Sequence, residues 1–213
     1  MPEAVPDVAG FWQVYFVQSG AGWAVIGAML AVMFGGWGSA KGIRIAAGQA
    51  AGVLSEKPDL FGKLFALMVL PGTQGFYGLI IAILIAMQSG MMGMFAITAL
   101  PPIKGIGLLA VGLCAGVVLW RSAVNQGEAS ASAINLTSRQ PDQFGRALLM
   151  PALVETYAAV AVLAAILFIR SITAMYMSQE ELDAALKAAE ANKAVSTAVG
   201  PGTAKGVGTA QTP

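Results

Sequence analysis

The sequence predicts an all-α membrane protein in which four transmembrane helices form two tandem helical hairpins. Three observations predict it. Hydrophobic residues make up 57% of the chain and charged residues only 11%, with a mean hydropathy of +0.72. That leaves too few charges to coat a soluble globule. Four apolar stretches are each long enough to cross a bilayer. The chain also repeats a pattern of apolar helix, polar loop and apolar helix.

The apolar stretches run over 19–40, 64–87, 103–120 and 147–169. The third is Gly-rich and short, and its pattern continues helically towards Ile134. Ahead of the first, "MPEAVPDVAGFWQVYFVQSG" carries acidic residues and no Lys or Arg, unlike a secretory signal with a basic n-region. The organisation expected is an N-terminal segment over 1–18, a first transmembrane hairpin over 19–90, a connection over 91–102, a second hairpin over 103–177 and a polar tail over 178–213. In the tail, "SQEELDAALKAAEANK" reads as a short helix with Ser178 and Glu181 spaced as a capping box. The remainder reads as disordered.

Basic residues in short loops orient the spans. The first-to-second connection carries Lys41, Arg44, Lys57 and Lys63, and the third-to-fourth carries Arg121, Arg139 and Arg146. The second-to-third has only Lys104, and the N-terminal segment has none. Both polar hairpin loops are expected in the cytoplasm and both termini on the other side. Arg170 and the tail lysines argue weakly the other way.

The halves read as copies. "SAKGIRIAAGQAAGVLSEKPDLFGK" from Ser39 and "SAVNQGEASASAINLTSRQPDQFGR" from Ser122 share Ser-Ala, Pro-Asp, Phe-Gly and a final basic residue in register. After the loop the register shifts by two, so "LPGTQGFYG" faces "PALVETYAA" and Gln74 falls opposite Glu155. Small residues set the packing. Ala24, Ala28, Ala31, Gly35, Gly38 and Gly42 on the first helix, and Gly105, Gly112 and Gly116 on the third, would let backbones approach closely in lipid. The competing reading is that Gly is simply common in membrane helices.

Glu155 is the one charged side chain in "LMPALVETYAAVAVLAAILFI", residues 149–169. A buried, unpaired carboxylate is costly, so the chain must pair it, protonate it or bind something to it. Leu70, Thr73, Gln74 and Tyr77 are spaced i, i+3, i+4, i+7 and share one helix face. Pro71 has no N–H, which loosens neighbouring carbonyls such as that of Leu70. Gln126 precedes Glu155 on the other side of the third-to-fourth turn, and the midpoint between the two falls inside "SRQPD". Residues equidistant from an antiparallel turn sit at one depth, so the two are expected to be level. Polar groups at membrane depth belong where they line a protein-buried site. The bland alternative is interhelical hydrogen bonding alone.

The donors are a carboxylate, two amides, a hydroxyl, a phenol and a loosened carbonyl. They suit a hard cation, and a single carboxylate neutralises a monovalent one. Loaded with Na+ or H+, Glu155 is neutral overall and tolerates lipid; emptied, it is a charge that lipid rejects. That is the chemistry of a carrier rather than a hydrolase, and no catalytic residues are expected. A net charge of +1 gives no footprint for nucleic acid. The chain has no His, and its one Cys, Cys114, lies in an apolar run, which excludes His-ligated and Cys-cluster metal centres.

"LPGTQGFYG" with "ALVETYA", on a duplicated four-helix hairpin, resembles the K subunit of V-type (V/A-type) rotary ATPases in its sodium-binding bacterial form. The resemblance covers roughly 18–172. It implies a ring of identical subunits in a prokaryotic plasma membrane, turning against a stator subunit whose arginine meets the emptied carboxylate. It implies Na+, with H+ as the alternative ion, held by the Leu70 main-chain oxygen, Thr73, Gln74, Gln126 and Glu155. Tyr77 matches the tyrosine that hydrogen-bonds the carboxylate in the closed site. The hairpin loops around Pro58 and Pro141 would dock on the central stalk. The tail departs from the family, whose members usually stop soon after the fourth helix. A proton-coupled small-molecule exporter using Glu155 is the rival reading; it needs no such oxygen set, and an aromatic substrate box is missing around Glu155. A purely structural scaffold leaves Glu155 unexplained.

Overall fold

The structure, a computed structural model, describes residues 10, 12–92, 100–174 and 187. The chain divides into two units, Met1–Thr173 and Ala174–Pro213. The expected tail helix and disordered segment fall outside the described residues, apart from Lys187, as does most of the 91–102 connection. Among the described residues nearly all are helical and none is in a strand.

A π-helical turn at Gln13–Gln18 leads into α1, Ala21–Glu56. The second span is broken: α2, Phe61–Val69, and α3, Thr73–Gln88, flank a 3-10 turn at Leu70–Gly72. The second half comprises α4, Pro102–Arg139, and α5, Phe144–Ala174, with Pro151 inside the helix. Among the described residues, four helical stretches are long and apolar enough to cross a membrane: Ala21–Glu56, Pro58–Gln88, Pro102–Arg139 and Pro141–Ala174.

The two hairpin turns are built alike. Lys57 (φ −134°, ψ 72°) and Gln140 (φ −135°, ψ 79°) leave the helical region immediately before Pro58 and Pro141. A proline disfavours helical geometry in the residue preceding it, so α1 and α4 stop there. Each proline then opens a 3-10 turn, Pro58–Leu60 and Pro141–Gln143. Lys57 Nζ donates to the Ser138 carbonyl at 2.7 Å, and Lys63 Nζ to the Pro141 carbonyl at 3.0 Å. Both turns therefore lie at one end of the bundle. At the other end, Gly20 N–H donates to the Leu100 carbonyl at 2.7 Å.

α1 and α4 outlast the apolar runs 19–40 and 103–120 by several turns each. Hydropathy ends where one side of each helix turns polar, but the other side stays small and packed. Ala46 and Ala50 of α1 cluster with Ala133 and Ile134 of α4, and Gln49 Nε2 donates to Asn135 Oδ1 at 2.6 Å. At 1.5 Å per residue the 36 residues of α1 span about 54 Å, well beyond a hydrocarbon core of about 30 Å.

In lipid, helices gain little from hiding apolar surface and associate by close backbone contact. The expected small-residue faces supply it: Ala24, Ala31, Gly35, Gly38 and Gly42, with Gly105, Gly112 and Gly116, are all buried. A Cβ on Gly27 would stand 2.7 Å from the Leu108 carbonyl oxygen, and one on Gly127 2.5 Å from Gly42 Cα. Only glycine permits those approaches.

Two apolar clusters result. One gathers Ala24, Ala31, Ile81, Leu108, Leu119 and Ala158. The other, nearer the hairpin turns, gathers Ala46, Leu64, Leu67, Ile134 and Ala147. Between them lies a polar layer that includes the buried Ser39, Gln74, Ser122 and Gln126.

Candidate ion-binding site

The polar layer starts from two prolines. Pro71 cannot donate to the ladder, and the chain tightens into the Leu70–Gly72 turn before α3 begins at Thr73. Pro151 sits in α5 one turn before Glu155. The turn bearing Thr73 and Gln74 thus faces the turn bearing Glu155 across α4, with Gln126 between them.

All six residues singled out from the sequence meet in one hydrogen-bonded chain. Thr73 Oγ1 donates to the Leu70 carbonyl at 3.1 Å and stands 3.4 Å from Gln74 Oε1. Gln74 Nε2 donates to Gln126 Oε1 at 2.5 Å. Gln126 Nε2 reaches Glu155 Oε2 at 3.4 Å and the Pro151 carbonyl at 3.1 Å. Tyr77 donates its hydroxyl proton to Glu155 Oε1 at 2.8 Å. Gln74 and Gln126 are fully buried, while Thr73, Tyr77 and Glu155 are half-buried. The amides are thereby fixed inside the protein, with the carboxylate at its margin.

Three further groups were missed from the sequence. Ser39 Oγ accepts the Gly75 N–H at 2.8 Å. Ser122 Oγ donates to the Val154 carbonyl at 3.4 Å. The Pro151 carbonyl receives Gln126. The two serines open the two sequence copies, and that recurrence was the available signal. Nothing in the sequence marked the Pro151 carbonyl, because the proline stood inside an otherwise apolar run.

The donor set is one carboxylate and several neutral oxygens. Among the described residues no group of three or more His, Cys, Asp or Glu side chains is gathered in a way that would hold a metal ion. A monovalent cation or a proton suits the set; a divalent ion would call for more acids. An apolar groove of about 370 Å³ between α4 and α5, lined by Ala110, Cys114, Val118, Ala161, Ala164 and Phe168, includes none of the site residues.

Comparison with known proteins agrees with this architecture. The family model for the C subunit of ATP synthase matches twice, at residues 26–85 and 109–168, with the same offset that separates Ser39 from Ser122. The V-type sodium ATPase subunit K of Enterococcus hirae is 32% identical over 146 residues, covering 68% of this chain and 89% of that protein. The A-type ATP synthase subunit K of Methanocaldococcus jannaschii is 36% identical over 174 residues, covering 78% of this chain and 74% of that protein. A duplicated four-helix membrane chain with such relatives is a multi-pass member of a ring of identical copies in an ATPase membrane sector. The chain belongs to the family of ATP synthase C subunits, as a rotor-ring proteolipid of the V/A-type ATPases.

Proposed function

We propose that this proteolipid moves Na+ across the membrane by reversible binding at Glu155, with H+ as the alternative ion, coupled to ring rotation and to ATP hydrolysis or synthesis. The Leu70 carbonyl, Thr73, Gln74, Gln126 and Glu155 hold the ion, and Tyr77 steadies the carboxylate in the closed site. The observation that carries this reading is the unbroken hydrogen-bonded chain from the Leu70 carbonyl to Tyr77. A hard cation held by oxygens at about 2.4 Å sees ligands at right angles about 3.4 Å apart. The Thr73–Gln74 and Thr73–Leu70 oxygen separations, 3.4 and 3.1 Å, suit such a cage.

The energetics make the carboxylate a gate. An ionised carboxylate at the bilayer centre costs about 3 kcal/mol on insertion scales, which disfavours an empty site turning into lipid by more than about a hundredfold. Bound Na+ or H+ removes that penalty. The emptied carboxylate instead meets a cation on the stator, which we assign to an arginine of the membrane stator subunit. The hairpin turns at Pro58 and Pro141 face the cytoplasm and dock the central stalk, with the termini outside, in a prokaryotic plasma membrane. The Lys57 and Lys63 contacts, which bring both turns to one end, support a shared docking face.

The preference for Na+ over H+ rests on the neutral oxygens. A proton needs only the carboxylate, whereas Thr73, Gln74 and Gln126 give a cation a full set of ligands. The sodium-ATPase relative supports the same preference. Glu155→Gln tests the carrier role: the ring should assemble, and ATP-coupled Na+ transport by the reconstituted complex should be abolished. Coupled transport surviving in that variant would sink the mechanism, because no other acid lies within the four apolar runs.

A further inference from the structure

We propose that Ser39 is a positioning residue for the ion site, an N-terminal cap supplied to α3 from a neighbouring helix; this rests on the ion-binding reading above. The first N–H groups of a helix have no partner inside it. A Ser, Thr, Asp or Asn at the N-cap usually accepts one of them. In α3 the N-cap is Gly72, which has no side chain to do so. The Gly75 N–H, in the first turn of α3, instead donates to Ser39 Oγ of α1 at 2.8 Å.

The two residues between the cap and Gly75 are Thr73 and Gln74, so the cap fixes the turn that carries both ligand oxygens. α1 abuts the same turn at a second point: a Cβ on Gly35 would stand 2.7 Å from the Gln74 carbonyl oxygen. Ser39 is 6% exposed, so water does not replace it. In the second half the matching serine bonds in the opposite sense, as a donor rather than a cap. Ser122, its counterpart in the second copy and 7% exposed, donates to the Val154 carbonyl, next to Glu155. One serine thus pins the neutral-ligand turn and its copy pins the carboxylate turn.

Purified full-length rings would be labelled at Glu155 with a hydrophobic carbodiimide across Na+ concentrations, and across pH without Na+. Ser39→Ala should raise the half-protecting Na+ concentration about fivefold, as loss of a helix cap implies. The pH of half-labelling without Na+ should stay put, since Glu155 keeps Gln126 and Tyr77. Ser39→Thr, which retains the acceptor, should restore the wild-type Na+ response. Ser39→Gly, which relieves crowding, should match Ser39→Ala.

An unmoved Na+ midpoint in the Ala and Gly variants, with or without loss of ring thermal stability, would assign Ser39 to packing and overturn the proposal. So would a Thr variant as weak as Ala, or failure of both the Ala and Gly rings to assemble. A wild-type ring that Na+ leaves unprotected would refute the ion-binding reading itself, and this role with it.

Discussion

Gln126→Leu separates the binding role of the amide layer from its packing role. Gln126 is fully buried at the centre of the layer, touching Gln74, Glu155 and the Pro151 carbonyl. Leucine is close in volume, so the cavity cost is small. Besides the Nε2 bonds to Glu155 and to the Pro151 carbonyl, two losses appear in different measurements. The Gln74 amide N–H is left buried without its partner in both the empty and the loaded site, at about 1–3 kcal/mol. That cost falls on ring stability. The oxygen ligand is lost from the loaded site alone, and a hydrogen-bond-class contact to a charge is worth about 1.5–3 kcal/mol. At about 1.4 kcal/mol per factor of ten, the half-protecting Na+ concentration should rise about tenfold to a hundredfold. Carbodiimide labelling of Glu155 on assembled rings reads that midpoint directly. A variant ring that assembles with a midpoint within twofold of wild type would refute the assignment of Gln126 as a ligand.

Other expectations follow from the packing and the topology. Gly112→Leu would drive a side chain into the Gly27 backbone, whose Cα lies 2.9 Å from the Cβ position; assembled ring in detergent should be lost, and a stable ring would mean that α1 and α4 do not pack through glycine. In a Cys114→Ser background, single cysteines beside Pro58 and beside Pro141 should both label from the cytoplasm, and one beside Gly93 only from outside. Labelling of the two turns from opposite sides would end the tandem-hairpin arrangement.

The four spans were legible because lipid demands long apolar runs. The depth match of Gln126 and Glu155 was legible because an antiparallel hairpin keeps residues equidistant from its turn level. Their contact at 3.4 Å follows that arithmetic. The loop-side halves of α1 and α4 were less legible. Lys41, Arg44, Arg121 and Glu128 end the hydropathy signal there, while Gly42, Ala46 and Ala50 continue the helix contact on the buried side. The cap from Ser39 was hidden for a different reason. Local sequence shows which N–H groups a helix start leaves free, but not which side chain of another helix arrives to accept them.

Whether a cation, rather than only a proton, satisfies the oxygens around Glu155 decides between a sodium carrier and a proton carrier. The most direct measurement is carbodiimide modification of Glu155 in the wild-type ring, which requires the protonated acid, with and without millimolar Na+ over a range of pH. Na+ should slow the modification, with the protecting concentration falling as pH rises and proton competition weakens. No protection by Na+ at any pH would make this a proton site, and the Thr73, Gln74 and Gln126 cluster helix packing alone.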